Sequence, residues 1–215
     1  MLSCSLETLF TRSHRFLLAG LLGLGLAAGV HAKQTVDPNG SPNDFVQAVG
    51  NNALEAIKHE ASLKSGDMAK VNQIVNEYVL PYVDLKKTTR LSAGRYWRQA
   101  TPQQQTELVD AFKNTLIHTY SGAFTRVDPS SKLTMQPFRG DPKADDLAVR
   151  STLTQNNAPS INIDYRLEKT AQGWKIYDLN VEGIWLIQNY RGQFAEQISR
   201  NGIDGLIKAL NQQNK

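Results

Sequence analysis

Apolar residues along this chain change their spacing twice, and those changes constrain the fold more than any single motif. From Phe45 to Phe124 they recur every three to four residues, the repeat of a helix face. After Asp128-Pro129 the repeat drops to two, and at Ile184 helical spacing returns. Helices, then strands, then helices is the segregated order of an α+β protein. The reading is helices over about 41–127, strands over about 131–182 and helices over about 184–212. The short connections between strands make the sheet antiparallel, with one apolar face for the helices to cover.

Helix starts and stops are written in the side chains. Ser41 is an N-cap, Pro42 occupies the first helical position and Asp44 lies in the positive first turn. Phe45, Val49, Ala53 and Ile57 form one face, and Ser65-Gly66 is expected to end that helix. Asp67 caps the next, whose stripe is Val71, Ile74, Val75 and Tyr78 and which Pro81 stops. Thr101-Pro102-Gln103-Gln104 is a capping box with proline at the first position. Leu108, Phe112, Leu116, Tyr120 and Phe124 follow at strict spacing of four.

Four strands are expected: Leu133 to Phe138, Leu147 to Thr154, Ile161 to Glu168, and one from Trp174 to Val181. In the last, Trp174 and Ile176 share a phase that Tyr177, Leu179 and Val181 break, so one extra residue near Tyr177-Asp178 predicts a β-bulge. Helical spacing resumes through Ile184, Ile187, Tyr190, Phe194 and Ile198, and Asn201-Gly202 divides it from a last helix through Leu210.

The N-terminus reads as an export signal. Arg12 and Arg15 precede an apolar run from Phe16 to Val30, and Val30-His31-Ala32 has the small and apolar residues of a cleavage site. That run of 15 residues is shorter than the ~18 needed to span a bilayer. Residues 1–32 are therefore expected to be a signal peptide, leaving one domain, residues 33–215. That segment carries the lone cysteine, so the remaining 183 residues hold no disulfide. It also carries two arginines and one glutamate, so the formal charge falls from +4 to +3. Lys33 to Gly40 reads as a loose leader.

Catalytic and metal-binding patterns do not appear. The two remaining histidines, His59 and His118, sit in helical stretches without metal-ligand spacing. Asp178 and Glu182, four apart in a strand, would be roughly 13 Å from one another and face solvent. The charge does concentrate in one place. Lys86, Lys87, Arg90, Arg95 and Arg98 against Asp84 give the segment from 84 to 99 a charge of +4, more than the whole excess of the exported chain. Such a face suits lipid phosphates or an acidic partner. Nucleic acid is set aside because export carries the chain away from it. The other resource is large apolar side chains: Tyr78, Tyr82, Leu108, Phe112, Leu116, Tyr120, Val149, Ile163, Tyr165, Trp174 and Ile176. The same residues would build a filled core or line a cavity.

Several strings carry a resemblance. They are Ile74-Val75-Asn76 through Tyr82-Val83-Asp84, Gly94-Arg95-Tyr96-Trp97-Arg98-Gln99-Ala100-Thr101, and Phe112-Lys113 through Thr119-Tyr120. The most specific runs from Gly173-Trp174-Lys175-Ile176-Tyr177-Asp178 through Val181-Glu182-Gly183-Ile184 to Asn189-Tyr190-Arg191 and Phe194. Together they resemble the MlaC family of periplasmic phospholipid-binding proteins, also called the toluene-tolerance or ABC-transporter auxiliary family. Trp185 departs from the pattern, standing where the family often carries a small residue.

The resemblance implies an α+β fold with a curved four-stranded antiparallel sheet, an NTF2-like cone wrapped by helices, and an apolar pocket between sheet and helices. It implies no enzyme and no cofactor, only bound phospholipid as cargo. Acyl tails would meet Val75, Tyr78, Val79, Tyr82, Leu108, Phe112, Leu116, Tyr120, Val149, Leu153, Ile163, Tyr165, Trp174 and Ile176. The basic residues would then face a headgroup or a docking partner. The implied partners are phospholipid, an outer-membrane lipoprotein–porin complex, and an inner-membrane ABC transporter complex with its periplasmic substrate-binding subunit. Two other readings share these residues: a periplasmic lipoprotein chaperone, and a small-molecule enzyme on an NTF2-like scaffold.

Overall fold

Ser41 does cap the first helix. Its Oγ accepts from the Asp44 N–H at 3.1 Å, and α1 runs over Pro42–Lys58. The computed structural model describes residues 33–156 and 158–213; the expected signal peptide lies outside them. α1 ends seven residues before Ser65, and Ala61–Ser65 is a separate 3-10 turn closed by Gly66 in the left-handed region. Asp67 Oδ1 accepts from the N–H groups of Ala69 and Lys70 to start α2, Met68–Ile74. From there the chain widens into a π-type turn over Val75–Val79 and tightens into a 3-10 turn over Leu80–Tyr82, where Pro81 ends the run. α3, Leu85–Ala93, is capped by Asp84 and is followed by a 3-10 turn, Gly94–Gln99. The expected capping box is present, with Thr101 and Gln104 bonded reciprocally at the head of α4, Pro102–Arg126.

Five strands follow, one more than the spacing of apolar residues implied. β1 (Lys132–Met135), β2 (Asp146–Gln155), β3 (Ala158–Thr170), β4 (Gly173–Val181) and β5 (Ile184–Trp185) lie side by side in chain order, each antiparallel to the next. Ile184 thus belongs to the sheet and not to the next helix. The turn before it needs Glu182 and Gly183 at positive φ, 51° and 87°. The expected bulge is where the sequence puts it: Arg166 pairs with Asp178 but Leu167 pairs with Ile176, so Tyr177 is the extra residue. α5, Leu186–Gln213, is interrupted at Gly202, whose φ of 69° and ψ of −178° break the helix as Asn201-Gly202 predicts.

Packing divides between two faces. α1 lays Phe45, Val46 and Val49 on Leu147, Val149, Leu167, Trp174 and Ile176 of the sheet. α4 and α5 meet around Phe112, whose ring sits edge-on to Tyr190 at 4.7 Å and to Phe194 at 4.8 Å. Each such buried side chain contributes about 1.5–3 kcal/mol of transfer free energy.

The leader is not loose. Asn52, buried in α1, accepts from Gln34 N–H and donates to Gln34 C=O, both at 2.8 Å. Val36 packs on the sheet core. The Trp174 backbone N–H donates to Pro38 C=O at 2.8 Å and its indole N–H to Gly40 C=O at 3.2 Å. Gly173 makes this possible: a Cβ there would lie 2.4 Å from the Pro38 oxygen.

Candidate functional site

Strand register places the inner face of the sheet in rows. Leu147 faces Leu167, which faces Ile176; Val149 faces Tyr165, which faces Leu179; Ser151 faces Ile163, which faces Val181; Leu153 faces Ile161. The first row is buried beneath α1 and the Leu80–Tyr82 turn. Further along, Tyr165, Leu179, Leu153, Ile161 and Ile163 are only half-buried, and Val181 is 40% exposed. One end of this apolar face is therefore core, and the other is left partly uncovered.

The sequence-derived lining residues distribute accordingly. Val149, Tyr165, Trp174, Ile176 and Tyr82 gather in the α1–sheet cluster, where Tyr82 meets the Phe45 ring edge-on at 6.0 Å. Val75, Tyr78 and Val79 join Leu63, Val71 and Ile117 between α2, the π-type turn and α4. Leu108, Phe112 and Leu116 belong to the α4–α5 cluster. Leu153 packs at the edge of a small cluster with Leu54, Val127 and Leu133. Ile163 and Tyr120 stand outside all four clusters, Tyr120 with 42% of its surface exposed. Val75, Leu108, Phe112, Val149, Trp174 and Ile176 are buried and pack as core. Tyr78, Val79, Tyr82, Leu116, Tyr120, Leu153, Ile163 and Tyr165 retain open surface. Burial raises the phenol pKa of Tyr78, Tyr120 and Tyr165 above the ordinary value. Ile161, Leu179 and Val181 share this face but are not among the sequence-derived candidates. The phase slip after Tyr177 held the signal for the last two.

The basic cluster also separates. Lys86 and Arg90 on α3, and Arg95 and Arg98 on the following turn, are exposed. Among the described residues none of these four has a carboxylate within salt-bridge distance. Arg95 instead donates to the Tyr96 hydroxyl at 3.0 Å. Arg191 of α5 joins them, its Nε 3.4 Å from where a Cβ on Gly94 would sit. Lys87 does not belong to the free face. Its side chain is 13% exposed, pairs with Glu168 at 2.6 Å and Asp146 at 3.4 Å, and lies 3.6 Å from the centre of the Tyr177 ring. Asp146, at the start of β2, also accepts from the Tyr177 hydroxyl at 2.8 Å.

Asp178 does not face solvent either. Its side chain is fully buried, accepts from Arg166 at 3.1 Å and from the N–H groups of Leu179 and Ile187 at 3.0 Å each. Burial raises its carboxyl pKa, and these donors oppose the rise. It anchors the start of α5 to the bulge. Among the described residues, no group of three or more His, Cys, Asp or Glu could hold a metal ion, and no helix is long and apolar enough to cross a membrane. A separate open groove between α4 and α5 is lined mostly by polar side chains, among them Glu107, Asp204 and Lys208.

Comparison with known proteins agrees with this layout. A family model described as MlaC protein matches residues 47–212. The toluene tolerance protein ttg2D of Pseudomonas putida is 28% identical over 168 residues, 76% of each chain. The intermembrane phospholipid transport system binding protein MlaC of Haemophilus influenzae is 21% identical over 175 residues, 80% of this chain and 81% of that one. A phospholipid-binding protein from Ralstonia solanacearum, solved in complex with a phospholipid at 1.53 Å, matches with a TM-score of 0.77 and 40% identity, covering 81% of this chain and 97% of that one.

Proposed function

Because the chain belongs to the MlaC family, we propose that it is a soluble phospholipid carrier of the periplasm, exported by residues 1–32 and active as the single domain 33–215. The observation that carries this reading is the half-covered apolar sheet face, taken with the phospholipid-bound relative of the same fold. The sheet acts as one wall of an NTF2-like cone. Acyl tails lie against Ile163, Tyr165, Leu153 and Leu179, with Tyr78, Val79, Tyr82, Leu116 and Tyr120 as the helical wall. The buried Val149, Trp174, Ile176, Val75, Leu108 and Phe112 form the floor behind them.

Energetics favour such a device. Each methylene transferred from water to an apolar site is worth ~0.8 kcal/mol, so exposing a tail of about sixteen carbons costs on the order of 13 kcal/mol. Passage of free lipid through water is negligible on that scale. Transfer from a bilayer to an apolar pocket is close to neutral, so a carrier that docks at membrane complexes can move lipid without a catalyst. The exposed Lys86, Arg90, Arg95, Arg98 and Arg191 serve as the face for a headgroup or for the outer- and inner-membrane complexes. Cargo is bound and released unchanged, and no cofactor takes part.

The deciding experiment is an organic extract of the protein purified from its own periplasm, read by mass spectrometry. Stoichiometric phospholipid is expected. Absence of phospholipid, together with no uptake from vesicles, overturns the reading, and a lipidated protein in its place favours a lipoprotein chaperone.

A further inference from the structure

Two hydroxyl groups interrupt the hydrocarbon inner face of the sheet. Ser151 is fully buried, and its Oγ lies 3.2 Å from the Tyr165 hydroxyl and 3.3 Å from the Ile163 carbonyl oxygen. The pair sits where cover ends. Val149, opposite Tyr165, is buried, whereas Ile163, opposite Ser151, is half-buried.

Counting hydrogens shows what the pair can do. The serine has one hydrogen, and both the Ile163 carbonyl and the phenol oxygen can accept it. When the serine donates to the phenol oxygen, the phenol hydrogen is free to turn about its C–O bond toward a ligand without moving any heavy atom. Burial keeps that phenol protonated. A donor aimed into an apolar space is costly unless it meets an acceptor. Hydrocarbon tails offer none. The ester carbonyls, where the tails of a diacyl lipid join its glycerol, do.

Resting on the carrier reading above, the geometry points to Tyr165 as a positioning residue that donates a hydrogen bond to an ester carbonyl of the bound lipid, with Ser151 orienting the phenol. The bond fixes depth. Tails lie on the half-covered wall of Ile163, Leu153 and Leu179, and the headgroup stays outward.

The test compares two phospholipids of identical headgroup and chain length, one with ester and one with ether links to glycerol. Both are offered in vesicles to the delipidated protein. Wild type is expected to load the diester form roughly three- to tenfold better, the equivalent of one neutral hydrogen bond. Tyr165→Phe is expected to lose that preference, loading the diester and diether forms to the same extent. Equal loading of both lipids by wild type overturns the proposal. So does a Tyr165→Phe protein that keeps the preference, or one that loads neither lipid, which would make the hydroxyl structural. Uptake of neither lipid by wild type overturns the carrier reading itself.

Discussion

The Asp178 carboxylate accepts a hydrogen bond from the Ile187 backbone N–H at 3.0 Å, tying the bulge of β4 to the first turn of α5. Its second oxygen holds Arg166, whose guanidinium lies 3.9 Å from the Trp185 ring. Removing the carboxylate would strand the Ile187 and Leu179 donors in a buried site. Asp178→Ala is expected to cost about 2–4 kcal/mol, read by urea denaturation. Asp178→Asn, which keeps an acceptor, is expected to cost less.

Tyr177 makes alkaline pH the weak side of the fold. Burial and the Asp146 carboxylate push its phenol well above the ordinary value of 10.0. A raised phenol pKa favours the protonated form in the folded state. That contribution is complete below the unfolded value and is lost as pH rises above it. Wild type should therefore lose stability from about pH 10 upward, and Tyr177→Phe should lose less over the same range, as alkaline melts will show.

The basic segment should split on substitution. Lys87→Ala removes two ion pairs and a ring contact and is expected to cost about 1 kcal/mol. Arg90→Ala and Arg98→Ala are expected to stay within about 0.5 kcal/mol of wild type. If the exposed arginines form the docking face, the same two variants weaken salt-sensitive binding to anionic vesicles or membrane complexes.

Gly173 should tolerate no side chain. Its φ of 96° and the 2.4 Å approach of Pro38 C=O to a hypothetical Cβ act together. Gly173→Ala is expected to destabilise by about 1–3 kcal/mol and to speed hydrogen exchange at the Trp174 amide, which Pro38 now holds.

Ile163 and Val149 occupy the same face, yet arginine should affect them differently. Val149 is 1% exposed and touches core, so Val149→Arg is expected to cost several kcal/mol. Ile163→Arg should leave the melting temperature within a few degrees of wild type while reducing phospholipid loading several-fold.

Much of this layout is legible in the sequence because local chemistry writes it there. The Ser41 cap, the Thr101–Gln104 box, the Gly202 break and the Tyr177 bulge each follow from a few neighbouring residues. What was not legible depends on residues far along the chain. β5 is two residues long, too short for alternation to register. α3 buries Thr88, Thr89, Ser92 and Ala93 instead of a large apolar stripe, and Thr88 donates to the Tyr177 carbonyl 89 positions away. Lys87 looks like any other surface cation until Asp146 and Glu168 arrive from other strands. The bulge that the sequence announces sets Asp178 opposite Arg166, where the start of α5 buries it, although spacing alone had it facing water.

The half-covered sheet has a further meaning for a carrier that must travel empty as well as full. The dry end, built from Phe45, Val46 and Val49 on Leu147, Leu167 and Ile176, is sealed by the chain's own side chains. Its integrity owes nothing to whatever rests on the Ile163 end. Unloading would rehydrate that half-covered wall and leave the framework standing. Such a molecule can give up its passenger without coming apart, and can make the return trip.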